Sequence, residues 1–135
     1  MTLEERIETA AELRRAGYNC ASSVLLCFPD ITGMSREEAT KVTNALGSGI
    51  GGCREICGAA TAMAMLAGFK SAPSASSKAE ASKLANGCLK EFADANSGCL
   101  RCAQLKDRQT QGGAVRSCNE LVAQCVAIAH HRIAK

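Results

Sequence analysis

Aromatic side chains are almost absent from this chain of 135 residues, which contains three Phe, one Tyr and no Trp. Apolar residues nevertheless make up 47% of the sequence, so a folded core is expected. That core must be built from Ala, Leu, Ile, Val, Met and Cys, which favours closely packed helices over a sheet. The length suits a single domain over residues 1 to 135 with one core.

An excess of charge and a long hydrophobic run are missing as well. The formal charge is only +3, and the basic residues are not interleaved with aromatics, so no nucleic-acid partner is indicated. The longest apolar run, about residues 59 to 69, is shorter than the roughly 20 residues of a membrane helix. The N-terminal stretch "MTLEERIETAAELRRAG" lacks the features of a signal peptide. We therefore expect a cytoplasmic protein with no membrane partner.

Histidine is limited to two adjacent residues, His130 and His131, near the C-terminus. No Ser/His/Asp constellation is readable, and this position suits neither a general base nor a ligand set. Hydrolase chemistry is therefore not indicated, whereas an oxidoreductase role stays open.

Helical signals dominate the chain. Ser35 with Glu38 forms a capping-box signature, Asn19 is a suitable N-cap, and Pro29 disfavours helix before it. Apolar residues recur at helical intervals without the alternation of strands. The pattern predicts an all-α bundle of about six or seven helices. Their expected positions are residues 3 to 16, 19 to 28, 35 to 46 and 54 to 67, a long helix up to about residue 95, a short helix after residue 99, and residues 115 to 133.

Nine cysteines stand out against this simple composition. In a reducing cytoplasm they indicate redox or metal chemistry rather than structural disulfides, and the odd number leaves one unpaired in any case. Cys57 follows the loop "GSGIGG" and is predicted just inside a helix start, where the partial positive charge favours a thiolate. The loop could bring its backbone close to a sulfur or a small ligand. Burial as a small core residue explains Cys57 equally well.

The other cysteines fall into pairs by spacing. Cys53 lies four residues before Cys57 and would share its helix face only if the helix began early. Cys99 and Cys102 form a C-x-x-C pair, a redox or metal signal without the following His of a haem site.

Two further pairs are each seven residues apart, about two helical turns or roughly 10 Å, and so predict a shared face. They are Cys20 with Cys27 and Cys118 with Cys125. Core packing is the favoured interpretation for Cys27 and Cys125, and for Cys88 between Leu84 and Phe92.

Four stretches together resemble the CGCAxxGCC family, a group of small bacterial and archaeal proteins assigned redox activity. They are "YNCA", the glycine-rich loop running into "CGA", Phe92 followed by Cys102 with Leu105, and "CNELV". The resemblance covers essentially the whole chain. It implies that the characteristic cysteines of the family correspond to Cys20, Cys57, Cys102 and Cys118, with Cys99 as an alternative to Cys102. A similar domain is associated with split-Soret cytochromes, which combine haem with an iron–sulfur centre.

The resemblance leads us to expect that these four cysteines converge as the catalytic, cofactor-binding or metal-binding residues. They would ligate an iron–sulfur cluster, or would cycle through a disulfide with Cys57 as the attacking thiolate and Cys102 or Cys118 resolving. The alternative is a module that binds a soft metal such as zinc or copper. No haem is expected. A redox partner protein is implied but not identified, and a homodimer stays open.

Overall fold

The computed structural model describes residues 1 to 112 and 115 to 135, and these residues form helices, turns and loops without a β-strand. Eight α-helices occur in this part of the chain: α1 (Leu3–Arg15), α2 (Cys20–Leu25), α3 (Pro29–Thr32), α4 (Arg36–Thr43), α5 (Gly58–Lys70), α6 (Lys78–Ala95), α7 (Cys102–Gln111) and α8 (Cys118–Ala129). A 3₁₀ turn, Ala75–Ser77, precedes α6, and a π-helical turn, His130–Ala134, continues α8. The predicted all-α architecture is confirmed; only α2 and α3 are shorter than eight residues.

Helix starts that depend on local capping agree with the sequence. The Ser35 side chain accepts a hydrogen bond from the Glu38 N–H, and the Glu38 carboxylate accepts one from the Ser35 N–H, which completes the predicted capping box. Asn19 caps α2 through the N–H of Ser22. These caps satisfy N–H groups that the first helical turn leaves without partners.

Two predicted helix starts are wrong. Helix α5 begins at Gly58 rather than near residue 54, because Arg54 has a positive φ and residues 54 to 57 form hydrogen bonds with residues 100 to 103 outside the helix. Helix α8 begins at Cys118 rather than at Val115, because Ser117 forms a capping box with Glu120.

The centre of the bundle is α5, which packs against α2, α6 and α8. Most of its buried residues are small, so neighbouring helices approach closely. The buried residues are Gly58, Ala59, Ala60, Ala62, Met63, Leu66 and Ala67. Across from it, Cys88 and Phe92 of α6 are buried and Leu84 is half-buried, as the apolar stripe predicts. Cys27 and Cys125 are fully buried, which confirms their assignment to the core.

A buried arginine ties the two ends of the chain together. Arg6 on α1 is only 2% exposed, and its guanidinium donates two hydrogen bonds of 2.8 Å to the carboxylate of Asp30. It also donates to the carbonyl of Cys27 at 2.6 Å and to Nδ1 of His130 at 3.1 Å. Its charge lies 4.3 Å from the centre of the Phe28 ring. The buried cation is therefore fully partnered, as a buried charge must be.

This ion pair predicts an acid-sensitive contribution to stability. The Arg6 hydrogen bond lowers the pKa of Asp30, so the carboxylate stabilises the fold above its unfolded pKa and loses this effect as the pH falls through the folded pKa. Because the Asp30 side chain is 44% exposed, solvent screening limits the effect, and we expect Asp30→Asn to cost only about 0.5–1 kcal/mol at pH 7. Urea unfolding at several pH values measures the difference, which should shrink below pH of about 4.

The matched control is Asp94→Asn, which removes an exposed ion pair with Lys90. It should change the free energy of unfolding by a few tenths of a kcal/mol at most. A cost of Asp30→Asn that stays constant into acid would contradict the interpretation.

Candidate thiol site

Four cysteine side chains from distant parts of the chain line one cavity. They are Cys20, Cys57, Cys102 and Cys118. The structure thus brings together the four residues that the family resemblance singled out. All four are free thiols, and Cys57 and Cys102 are largely buried whereas Cys20 and Cys118 are half-buried.

Each of these cysteines lies at the start of a helix. Cys20, Cys102 and Cys118 are the first residues of α2, α7 and α8, and Cys57 is the N-cap residue of α5. The unpaired N–H groups and partial positive charge of the longer helices α5, α7 and α8 therefore face the cavity region. Such an environment favours a sulfur that carries negative charge.

A short antiparallel pairing holds Cys57 next to Cys102. Ile56 lies opposite Arg101 in an isolated bridge, with the N–H of Cys57 donating to the Leu100 carbonyl at 2.9 Å. The N–H of Cys102 donates in turn to the Glu55 carbonyl at 2.6 Å. An ion pair of 2.9 Å between Arg101 and Glu55 reinforces the bridge. Two thiols that are 45 positions apart in the sequence are fixed in this way at the cavity wall.

The glycine-rich loop forms another wall of the cavity, where Gly47 and Ser48 line it. Residues 48 to 52 all have positive φ, so the backbone makes a left-handed turn that is stabilised by hydrogen bonds such as Arg54 N–H to the Ser48 carbonyl. Gly49 permits this path, because a Cβ there would lie 2.5 Å from the Glu55 nitrogen. Gly47 and Ser48 therefore line the same cavity as the four sulfurs.

The electrostatic environment favours ionisation of Cys118. Interaction with the Cys20 thiol is the largest cause that lowers the pKa of Cys118, to about 5, and it outweighs the opposing effect of burial. Gln109 contributes too: its Nε2 lies 3.6 Å from the Cys118 sulfur and also donates to the Arg116 carbonyl at 3.0 Å. The positive charges of Lys106 and Arg14 act in the same direction. The same interaction raises the pKa of Cys20, so one thiol of the pair holds the proton and the other holds the charge.

Cys57 differs from the expectation that a helix start would make it the ionised thiol. Burial raises the pKa of Cys57, and this effect exceeds the opposite one of the N–H groups of Ala60 and Ala59. Desolvation penalises a thiolate more than two N–H donors compensate. The structure therefore favours Cys118 over Cys57 as the thiolate.

The remaining cysteines lie apart from the lining of the cavity. Cys53 is exposed in the loop, and its i,i+4 relation to Cys57 has no meaning because α5 starts after both. Cys99 is half-buried and does not line the cavity, whereas Cys102 does. Cys102 is therefore the member of the C-x-x-C pair that lies at the cavity. Cys27 does not share a helix face with Cys20, because α2 ends at Leu25.

Sequence reasoning missed the polar partners of the sulfurs, namely Arg14, Lys106 and Gln109. They lie on α1 and α7, and no local spacing relates Arg14 to a cysteine. The sequence offers one signal for Gln109: it lies seven residues after Cys102 on a predicted helix, and residues seven apart on a helix share a face.

A single metal ion requires several donor atoms around one point. In residues 1 to 112 and 115 to 135, no group of three or more His, Cys, Asp or Glu side chains is placed to hold a metal ion. The four thiols as arranged therefore do not fit a single zinc or copper ion. An iron–sulfur cluster distributes its cysteine ligands over several irons, and Cys20, Cys57, Cys102 and Cys118 around one cavity are the residues that would hold it.

The ionisation of Cys118 leads to a measurable pH dependence. Alkylation of Cys118 by iodoacetamide should change little between pH 6 and pH 8, because the lowered pKa leaves it a thiolate throughout. Free cysteine in the same solution, with a pKa of about 8.5, should react on the order of a hundredfold faster at pH 8 than at pH 6. Peptide mapping by mass spectrometry identifies the labelled residue. A rate at Cys118 that rises as steeply as that of free cysteine would refute the assignment.

The helical fold and the shared thiol cavity define the chain as an all-α, cysteine-rich protein. The model of one family, described as "Putative redox-active protein (C_GCAxxG_C_C)", matches residues 18 to 132, and the chain belongs to this family. No curated protein and no solved structure gives a significant match. Among the helices of the described residues, none combines the length and apolar character needed to cross a membrane.

Proposed function

We propose that this protein is a thiol-based oxidoreductase in which Cys118 and Cys20 alternate between two thiols and a disulfide. The single observation that supports this proposal most strongly is the cavity that both sulfurs line, where the pKa of Cys118 is lowered and that of Cys20 is raised by their interaction. A thiolate is the nucleophile of thiol–disulfide exchange, and a neighbouring thiol resolves the mixed disulfide. The Cys20–Cys118 pair supplies both.

The exchange balances in atoms and electrons. The Cys118 thiolate attacks one sulfur of a disulfide substrate, and the other sulfur leaves with the electron pair. Cys20 then attacks the Cys118 sulfur, its proton is released, and the substrate sulfur leaves as a second thiol or thiolate. The two substrate sulfurs gain two electrons, and the protein loses them. A reducing cytoplasm, with a redox partner protein that restores the thiols, suits this cycle.

Mild oxidation of the reduced protein tests the proposal. With diamide, a neutral oxidant of dithiols, the count of free thiols should fall by two, and peptide mapping should show a Cys20–Cys118 disulfide. Unchanged thiols under these conditions, or a pair that excludes both residues, would refute it.

An iron–sulfur cluster is the other use of four convergent thiolates, and the same preparation distinguishes it. Protein purified without oxygen is expected to be colourless, with neither iron nor acid-labile sulfide. Brown protein with both would replace the disulfide proposal by a cluster, and zinc or copper without sulfide would indicate the soft-metal alternative.

A further inference from the structure

The cavity lined by the four cysteines contains more positive charge than the single thiolate of Cys118 would neutralise. Arg14 and Lys106 line it, and no Asp or Glu of the described residues does. Among the described residues, the Arg14 guanidinium donates to two neutral oxygens, the Asn119 side chain at 2.8 Å and the Tyr18 carbonyl at 3.2 Å. Lys106 forms no ion pair within the part of the chain that the structure describes. Two cations therefore face one thiolate, and the cavity has a surplus charge that attracts anions.

The size of the cavity restricts what it can admit. Its volume of about 140 Å³ corresponds to roughly four or five water molecules in the liquid, at about 30 Å³ each. Pockets for drug-sized ligands are typically about 300–1,000 Å³. A peptide disulfide would reach only its mouth, whereas an anion of a few atoms fits inside.

The chemistry of the site adds a third restriction. Thiol–disulfide exchange breaks a bond between two sulfur atoms, so a substrate that this pair reduces by exchange must contain such a bond. Taken together, charge, size and chemistry define a narrow class of molecules.

We propose that Arg14 and Lys106 make this cavity a binding site for a small anion with a sulfur–sulfur bond, of which thiosulfate is the simplest stable example. The inference rests on the proposed function and names its substrate class. The two cations bind and orient the anion beside Cys118, and the narrow cavity excludes larger disulfides.

The reaction is a transfer of one sulfur atom followed by its reduction. The Cys118 thiolate attacks the outer sulfur of thiosulfate, a new sulfur–sulfur bond forms, and sulfite leaves with the electron pair of the broken one. Cys20 then attacks the Cys118 sulfur of this persulfide, and hydrosulfide leaves with the Cys20 proton. The transferred sulfur gains two electrons, and the two cysteines lose two as they form a disulfide.

Single-turnover kinetics with the full chain test this inference. The reduced protein is mixed with thiosulfate without oxygen, sulfite and sulfide are assayed, and the mass of the protein is followed for the gain of one sulfur atom. We expect one sulfite per protein molecule, followed by sulfide. The double variant Arg14→Gln/Lys106→Gln should slow sulfite release by about tenfold or more, the scale of electrostatic attraction into a charged cleft. Lys90→Gln, which removes an exposed cation on α6, should leave the rate unchanged.

Diamide separates this inference from the proposed function, because it is neutral. The double variant should slow the reaction with diamide much less than the reaction with thiosulfate. Equal slowing of both would mean that the cations act only on the ionisation of Cys118, and would refute the anion site. If diamide forms the Cys20–Cys118 disulfide but thiosulfate does not react, the inference fails and the proposed function stands. If neither reacts, both fail.

Discussion

Cys118→Ser is expected to abolish the loss of two thiols on mild oxidation. Serine keeps the size of the side chain, but its hydroxyl neither ionises near neutral pH nor forms a disulfide. Cys20 would then lack the thiol that interacts with it in the cavity. Thiol titration after diamide treatment, together with far-UV circular dichroism to confirm folding, measures the effect.

Two other cysteines provide matched controls. Cys53→Ser and Cys99→Ser remove thiols that do not line the cavity, so both variants should still lose two thiols at the rate of the unaltered protein. The alternative pair at the cavity is Cys57 with Cys102, which the bridge at residues 56 and 101 holds together. If Cys118→Ser still forms a disulfide as rapidly, and mapping finds it at Cys57 and Cys102, the assignment of the reactive pair is wrong.

Gly58→Ala is expected to have the largest effect on stability among single methyl additions to α5. A Cβ at residue 58 would lie 2.7 Å from the carbonyl oxygen of Leu46, and also 3.6 Å from Ala21. Because the atom in the way is backbone, relief requires a shift of α5 away from the loop before it. Overpacking of this kind costs about 1–3 kcal/mol, and urea unfolding should show it as a lower midpoint.

The same helix contains its own control. A Cβ added at Gly68 would have no atom within 4 Å, and the φ of this residue is not positive. Gly68→Ala should therefore stabilise the fold by up to about 1 kcal/mol, since Ala is the better helix former. If both substitutions had the same sign, the close contact at Gly58 would not be what determines its effect. Since Gly58 also lines the cavity, alkylation of Cys118 in Gly58→Ala reports whether the site moves with the helix.

Helix prediction from sequence succeeded where a local cap was recognised, as at α2 and α4, and it overlooked the equally local capping box of Ser117 and Glu120 at α8. The capping box of α4 and the Asn19 cap of α2 involve residues three apart, and their positions follow from residue type alone. The predicted start of α5 was wrong because residues 54 to 57 form hydrogen bonds with residues 100 to 103. A pairing between such distant segments cannot be read from a local sequence pattern. The apolar run of α5 has the same appearance whether the helix begins at residue 54 or at residue 58.

The site, too, was predictable only in part from the sequence. Spacing alone did not separate Cys20 from Cys27 or Cys118 from Cys125, since each pair is seven apart. The resemblance to the family identified Cys20, Cys57, Cys102 and Cys118, and these are the cysteines that share the cavity. Their ionisation was not predictable, because it depends on Arg14 and Lys106 from two other helices and on the burial of Cys57.

Composition and periodicity by themselves determined an all-α domain with a core of small aliphatic side chains, since helical propensity and apolar spacing are properties of neighbouring residues. Only the tertiary structure decided which sulfur is charged and what surrounds it. The pKa of a thiol depends on its loss of hydration and on charges within a few ångströms, and in this protein those charges come from helices that are distant in the sequence.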